Sequence, residues 1–356
     1  MLTSYGWSER LQNDFAPYAA EGLVPARILI QHRGGYRLVT PDGESDGLAS
    51  GRLLKTTSEA DRPATGDWVA GEARDGQFLV QHLLPRSTAF IRKASGSRGG
   101  AQVVAANADV ALLVASLNAD LNLRRLERYL ATAYESGAQP VIVLTKADLA
   151  DGLEDTVAEV EAIAFGAPVL AISSKTGQGL DALLEHLQPG RTAVLLGSSG
   201  AGKSTLLNAL AGEERMDTGA IREADDRGRH TTTHRELVLM PYGGLILDTP
   251  GMRELGLWEA SGGVSEAFED VETLAAQCKF SDCGHGREPG CAVRAAIAAG
   301  DLPEERWLAY QKLQGELAFE KRKEDPHAAL VNKRLWITRN KQGRARMKAK
   351  RGEDPS

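Results

Sequence analysis

Gly197-Ser198-Ser199-Gly200-Ala201-Gly202-Lys203-Ser204 stands between the apolar run Ala193-Val194-Leu195-Leu196 and Thr205-Leu206-Leu207-Asn208-Ala209-Leu210, and the fold follows from this placement. It is a full G-x-x-x-x-G-K-[ST] loop joining a predicted strand to a predicted helix that Gly212 can end. Glycines allow a tight turn whose backbone N–H groups, with the helix N-terminus, face an anion. Lys203 reaches β- and γ-phosphate oxygens, the Ser204 hydroxyl suits Mg²⁺, and Thr205 completes the nucleotide-binding stretch. The expectation is a P-loop α/β domain that binds a nucleotide triphosphate with magnesium.

Downstream, Leu245-Ile246-Leu247 ends in Asp248-Thr249-Pro250-Gly251. That puts a carboxylate, Asp248, at the carboxyl edge of the sheet, where it can hold the Mg²⁺ shell, and lets the Gly251 N–H approach a γ-phosphate. Between the two phosphate motifs lies Arg229-His230-Thr231-Thr232-Thr233-His234, a polar threonine-bearing segment suited to a switch. A hydroxyl that binds Mg²⁺ only when the γ-phosphate is present would order such a loop in one state. Thr232 is the expected metal ligand, with Thr231 and Thr233 near-equivalent.

Upstream, Thr145-Lys146-Ala147-Asp148 follows the apolar run Val141-Ile142-Val143-Leu144. A carboxylate such as Asp148 accepts hydrogen bonds from both N1–H and the 2-amino group of guanine, and adenine offers neither donor there. The tetrapeptide is similar to N-K-x-D, with Thr145 in place of the asparagine and its amide that bridges base and P-loop. One helix and one strand later, Ser173-Ser174-Lys175 is similar to the S-A-K motif that supports guanine O6. Both base motifs precede the P-loop, and nothing like N-K-x-D follows Gly251. The expectation is a circular permutation in which the usual ends are joined through residues 180–192. The segment after Gly251 then leads straight into the C-terminal region.

Around this centre the chain divides into three expected parts. Residues 1–93 form a small barrel, 101–258 the permuted α/β domain, and 259–356 a mostly helical, zinc-binding region with a basic tail. In the first, Arg27-Ile28-Leu29-Ile30, Tyr36-Arg37-Leu38-Val39, Arg52-Leu53-Leu54, Asp67-Trp68-Val69-Ala70 and Gln77-Phe78-Leu79-Val80 read as five strands broken by Gly, Pro and Asp turns. Periodicity leaves OB-fold and SH3-like barrels both open. The Gly-rich stretch 94–100 reads as a linker. Strand and helix patterns then alternate, with helices over 123–136, 154–164 and 180–187, which predicts helices on both faces of a sheet. Leu237-Val238-Leu239 and Leu245-Ile246-Leu247 read as a hairpin through Gly243-Gly244. A last helix is expected to be capped by Asp301, with Trp307, Tyr310, Leu313 and Leu317 on one face.

The only three cysteines, Cys278, Cys283 and Cys291, cluster with His285. An odd, clustered count argues against a disulfide framework and for a metal. Three thiolates and an imidazole satisfy one tetrahedral Zn²⁺ with no open position, which makes the site structural and disfavours metal delivery. The chain of 356 residues carries a formal net charge of −6, yet residues 321–351 hold 12 Lys/Arg against 2 Asp/Glu, a local +10 that leaves −16 on the rest. A basic tail on an acidic body points to a polyanionic partner. No apolar run of about 18 residues and no signal peptide is present, so neither a membrane span nor secretion is expected, and the location expected is cytoplasmic.

Taken in order, the barrel, permuted motifs and cysteine cluster resemble the bacterial small ribosomal subunit biogenesis GTPases, the ribosome small-subunit-dependent GTPase A family, over nearly the whole chain. The resemblance implies an OB-fold N-terminal domain and hydrolysis of GTP to GDP and phosphate. It implies stimulation by the small ribosomal subunit and its rRNA during late maturation; a monomer is expected. It also implies a catalytic histidine at His230 and an apolar residue, Met252, where many relatives carry a water-orienting glutamine. Cys278, Cys283, His285 and Cys291 match the family's zinc pattern. The competing expectation is a nucleotide-gated RNA-binding module with vestigial hydrolysis, favoured by Met252 and Thr145.

Overall fold

The computed structural model describes residues 1–32, 34–58, 61–74, 76–93, 101–118, 121–164, 166–212, 235–248, 267–280, 282–286 and 288–324. After a 3-10 turn at Leu2–Tyr5, helix α1 (Glu9–Ala20) starts at Ser8, whose side chain accepts from the Leu11 amide. Its buried Leu11 and Phe15 join the core beneath, and Trp7 meets Phe15 and Trp68 edge-on.

The barrel strands are β1 (Val24–His32), β2 (Gly35–Thr40), β3 (Gly43–Ala49), β4 (Trp68–Arg74) and β5 (Gln77–Leu83). They pair in the order β1-β2-β3-β5-β4, and β4 returns to β1, so the sheet closes. The β3–β5 pairing is parallel and the other four are antiparallel. This Greek-key closure with a helix between β3 and β4 is OB-like. That helix, α2 (Gly51–Thr56), corrects one expected strand, Arg52-Leu53-Leu54. The Ser50 side chain caps it by accepting from the Leu53 amide at 3.1 Å, and only Leu53 turns inward while Leu54 is exposed. The third strand is instead Gly43–Ala49, whose polar sequence carries no apolar alternation. Gly47 is required there because a Cβ would stand 2.6 Å from the Phe78 carbonyl oxygen across the β3–β5 pair.

An antiparallel ribbon follows, β6 (Ala89–Lys93) with β7 (Ala101–Ala106), so residues 94–100 connect two paired strands. Then come β8 (Val110–Ser116), α3 (Leu123–Ser136), β9 (Gln139–Thr145), α4 (Leu153–Ala164), β10 (Val169–Ala171), α5 (Leu180–His186), β11 (Thr192–Leu196), α6 (Lys203–Ala211), β12 (Arg235–Leu239) and β13 (Leu245–Asp248). Their order in the sheet is β10-β9-β8-β11-β13-β12, parallel except for the β12–β13 hairpin. Successive strand residues alternate faces. Leu113, Val194 and Leu196 pack with Leu126 and Leu130 of α3 and Val160 of α4. Leu112 and Leu195 pack with Leu183 of α5 and Leu206 and Leu210 of α6 on the other face. The two-faced α/β expectation therefore holds. β12 also pairs with β1 of the barrel, at Ile30 with Glu236 and Gln31 with Arg235, making the barrel and the α/β sheet one continuous sheet.

Arg27 cements that junction. It is 2% exposed and donates to the carbonyls of Gly66 at 3.2 Å, Asn107 at 3.1 Å and Tyr5, and to Thr192 Oγ1 at 2.9 Å. Beside it, Asp67 accepts from Arg86 at 2.7 and 2.8 Å. A buried charge is tolerable only with partners of this kind.

The C-terminal helices are α7 (Glu269–Ala276), α8 (Ala292–Ala299) and α9 (Glu304–Glu324). Amides of Arg306 and Trp307 donate to the Pro303 carbonyl, so the first turn of α9 closes on Pro303 and not on the expected cap, Asp301. Trp307, Leu313 and the partly buried Tyr310 face the core as expected, and the side chain of Leu317 lies outside the described residues. Among the described residues no helix is long and apolar enough to cross a membrane.

Candidate nucleotide site and metal centre

The P-loop leaves β11 at the carboxyl edge of the sheet, between β8 and β13, where open α/β sheets place their ligands. Gly197 passes so close to β8 that a Cβ would lie 2.4 Å from the Val114 carbonyl oxygen. Lys203 begins α6, and its ammonium donates to the Gly197 and Ser198 carbonyls at 2.7 and 2.6 Å, which holds the charge over the loop. Asp248 ends β13 on the same edge. Burial raises its carboxyl above the usual range, Lys203 draws it back down, and Glu236, its cross-strand partner, raises it further.

The base motifs reach this edge from β9 and β10. Thr145 ends β9, is buried, and donates its hydroxyl to the Ala201 carbonyl of the P-loop at 2.7 Å, with the Ala115 carbonyl at 3.3 Å. The hydroxyl thus ties β9 to the P-loop, the P-loop half of the bridge that the asparagine's amide makes between loop and base. Lys146 adopts a left-handed backbone, φ +63°, and its ammonium stands 3.4 Å from the Gly200 carbonyl. Asp148 follows in a short 3-10 turn with Ala147, whose amide donates to the Ile172 carbonyl. Ser173 Oγ donates to Asp148 Oδ1 at 2.7 Å and accepts from the Thr176 amide. That hydroxyl fixes the carboxylate of one motif with a residue of the other, and Ser174 and Lys175 continue the same turn. The structure thus gathers 145–148, 173–175, 197–205 and Asp248 along one edge. His230, Thr231, Thr232, Thr233, Gly251, Met252 and all of the basic tail beyond residue 324 lie outside the described residues.

The second centre brings Cys278, Cys283, His285 and Cys291 together with all four donor atoms within 4.8 Å of one another. Cys278 Sγ and Cys291 Sγ lie 3.5 and 3.6 Å from His285 Nδ1, and 3.9 Å from each other. Tetrahedral zinc with Zn–S of about 2.3 Å and Zn–N of about 2.05 Å has S–S edges of about 3.8 Å and S–N edges of about 3.6 Å. The donor set therefore fits that ion in type and in spacing. His285 sits at φ +54°, with its ring edge-on to Trp307 at 5.1 Å, and Cys291 caps α8.

A feature that sequence reading missed locks this region to the α/β domain. Arg306, 4% exposed, forks onto Asp270 at 2.5 and 2.9 Å, donates to the Ala267 carbonyl at 2.9 Å and reaches Glu127 of α3 at 3.4 Å. Its guanidinium also lies over the Phe268 ring at 4.6 Å. Glu127 stands 179 positions away, and the only sequence signal was a charge on an otherwise apolar helix face.

Comparison with known proteins agrees with this geometry. A family model described as RsgA GTPase matches residues 83–258. The chain is 48% identical over 355 residues to the small ribosomal subunit biogenesis GTPase RsgA of Streptomyces coelicolor, covering 99% of this chain and 96% of that protein. It is 47% identical over 347 residues to the protein of the same name from Opitutus terrae, covering 94% and 95%. Among solved structures it is similar to YjeQ from Thermotoga maritima, with TM-score 0.62 and 25% identity over 83% of this chain and 99% of that one. It is also similar to YloQ, described as a circularly permuted GTPase, with TM-score 0.61 and 27% identity over 84% and 96%.

Proposed function

This chain belongs to the RsgA family of small ribosomal subunit biogenesis GTPases, hydrolases acting on GTP, and from that premise we propose that it cleaves GTP to GDP and phosphate in late maturation of the subunit, stimulated by rRNA. One observation carries the reading. The P-loop, Thr145–Asp148 and Ser173 meet at one sheet edge, tied by the Thr145–Ala201 and Asp148–Ser173 hydrogen bonds. Asp148 reads guanine N1–H and its amino group with a carboxylate already oriented by Ser173. The backbone N–H groups of 197–205 and the Lys203 ammonium take the phosphates, and Ser204, Asp248 and Thr232 would hold magnesium, directly or through water. Magnesium supplies charge neutralisation on the β- and γ-phosphates. The Gly251 N–H would serve the γ-phosphate, and His230 would place the attacking water, since Met252 has no hydrogen bond to offer.

Three parts, 1–93, 101–258 and 259–356, divide this work among barrel, catalytic domain and zinc region. One structural zinc on Cys278, Cys283, His285 and Cys291 orders the last. The working form is a cytoplasmic monomer, and the tail 321–351 anchors rRNA. Single-turnover GTP hydrolysis with and without purified small subunits tests the proposal: a stimulated rate is expected. Binding without stimulated cleavage would leave only a nucleotide-gated RNA-binding module.

A further inference from the structure

The cluster of Cys278, Cys283, His285 and Cys291 has a neighbour that the tetrahedral donor set does not explain. His285 turns Nδ1 to the sulfurs, 3.5 Å from Cys278 Sγ and 3.6 Å from Cys291 Sγ. A metal-bound histidine ordinarily donates its other ring N–H to a carboxylate, a carbonyl or water, which fixes the tautomer and the orientation of the ring. Among the described residues no carboxylate and no carbonyl takes that bond from His285. The ring instead meets Trp307, with centroids 5.1 Å apart and planes at 73°. Trp307 is 5% exposed, so its indole is a fixed wall. His285 itself holds φ +54°, a left-handed backbone that a non-glycine residue keeps only where its surroundings over-determine it.

Trp307 also joins the cluster to the rest of the molecule. Its ring stacks on Tyr310, 5.7 Å away at 29°, and Tyr310 donates its hydroxyl to Glu272 of α7 at 2.9 Å. α7 ends two residues before Cys278, whose amide donates back to the Ala275 carbonyl. On α9, directly before Trp307, stands Arg306, which bonds Asp270, the Ala267 carbonyl and Glu127 of α3. One turn of α9 therefore touches a metal ligand with one side chain and the GTPase domain with the next.

We propose that Trp307 is a positioning residue that presents His285 to the metal through Nδ1 and, with Arg306 beside it, couples metal binding to the docking of the C-terminal region on α3. The inference rests on the zinc assignment proposed above and is independent of GTP hydrolysis. Coupling of this kind is reciprocal, so loosening the contact with α3 must weaken the metal site by the same factor.

The test loads the full-length chain with zinc and measures metal affinity by competition with a chromophoric chelator. Trp307→Leu keeps apolar volume and removes the ring, and its zinc affinity should fall about ten- to a hundredfold, as for other residues that hold a ligand without touching the metal. Trp307→Phe restores an aromatic ring and should bind zinc nearly as the parent does. Glu127→Ala lies in α3 and removes no donor, yet it should lower zinc affinity roughly five- to a hundredfold; it decides the matter even where Trp307→Leu fails to fold. With isotope-labelled histidine, magnetic resonance of the zinc-loaded parent should find the His285 proton on Nε2. A proton on Nδ1 overturns the proposal, as does a leucine variant with parental affinity or a phenylalanine variant that loses as much as leucine. Parental zinc affinity in Glu127→Ala overturns the coupling. If the parent chain binds no zinc, the metal assignment proposed above falls as well; if it binds zinc and the variants do not respond, the positioning role alone falls.

Discussion

Of the two residues proposed to serve guanine recognition, Thr145 is hidden and Asp148 exposed. Thr145 is buried and its hydroxyl bonds the Ala115 and Ala201 carbonyls, so it ties β9 to the P-loop at 2.7 Å. Thr145→Val keeps the shape and leaves the Ala201 carbonyl unsatisfied, at a cost of about 1–3 kcal/mol. Affinity for GTP and GDP should fall together, by roughly five- to a hundredfold, while Thr145→Ser should restore it; equal binding by the valine variant would remove the bridge from the site. Asp148→Asn removes charge-assisted bonds of about 1.5–3 kcal/mol each, so GTP affinity should fall at least about tenfold and preference should move toward xanthine nucleotides. Fluorescent nucleotide titration reads both, and unchanged GTP affinity would take Asp148 out of the base site. Glu127 makes a prediction of another kind. Burial pushes its carboxyl up from 4.5 to about 7 against the pull of Arg306. Over that range the folded chain keeps a proton that the unfolded chain has released, so the group favours folding at low pH and that contribution is lost as pH rises through 7. Glu127→Gln mimics the protonated form, and its Tm relative to the parent should therefore rise between pH 5 and pH 8. A Tm difference that stays flat across that range would return Glu127 to an ordinary carboxylate.

At the level of elements, what was legible in the sequence is what local pattern controls. Residues 123–136 carry apolar positions four apart between Asn122 and Gly137, and they form α3 with the Asn122 side chain as cap and Gly137 in the left-handed region. The P-loop was legible because a Gly-rich turn between strand and helix is a local solution to a local problem. β3 was not, since Gly43–Ala49 is paired by its neighbours and not by apolar alternation of its own. The β1–β12 pairing, the Arg27 junction and the Arg306–Glu127 contact were not legible either, because each joins residues more than a hundred positions apart that carry no local signature. The cysteine cluster was legible from spacing alone, and its donor edges of 3.5 to 3.9 Å match those of a tetrahedral zinc. Short helices α7 and α8 bracket it, and closed zinc sites contribute roughly 10–16 kcal/mol of apparent binding energy in small peptides. Purified protein should hold about one zinc per chain by metal analysis, and chelation should lower the helical signal. No zinc, or a Cys283→Ser protein with full metal content, would defeat the assignment.

Across the whole molecule, the permutation changes what the nucleotide can move. In the sheet the base motifs sit beside the P-loop as they would in an unpermuted chain, yet the segment leaving Asp248 runs on to Ala267 and Phe268, which Arg306 holds against α3. The barrel is attached on the other side, where β1 pairs with β12 just after the segment that contains His230. Both stretches expected to sense the γ-phosphate are followed in the chain by elements packed on a neighbouring domain, β12 on the barrel and Ala267 on Arg306, so a partner that binds either domain would have a direct route to the nucleotide. The prediction is that the subunit completes a site that the free protein leaves poor. Partner activation of related GTPases reaches roughly 10³–10⁵-fold, so His230→Ala should abolish the stimulated rate while leaving subunit binding nearly intact. Removing residues 321–356 should instead weaken binding, most of all at raised salt, by roughly 0.7–0.9 of slope for each phosphate that the tail neutralises. Single-turnover hydrolysis and salt-dependent binding on the same two variants separate the roles. Full stimulation in His230→Ala would take catalysis away from that histidine, and a truncated chain with parental affinity and slope would make the tail a solvated extension.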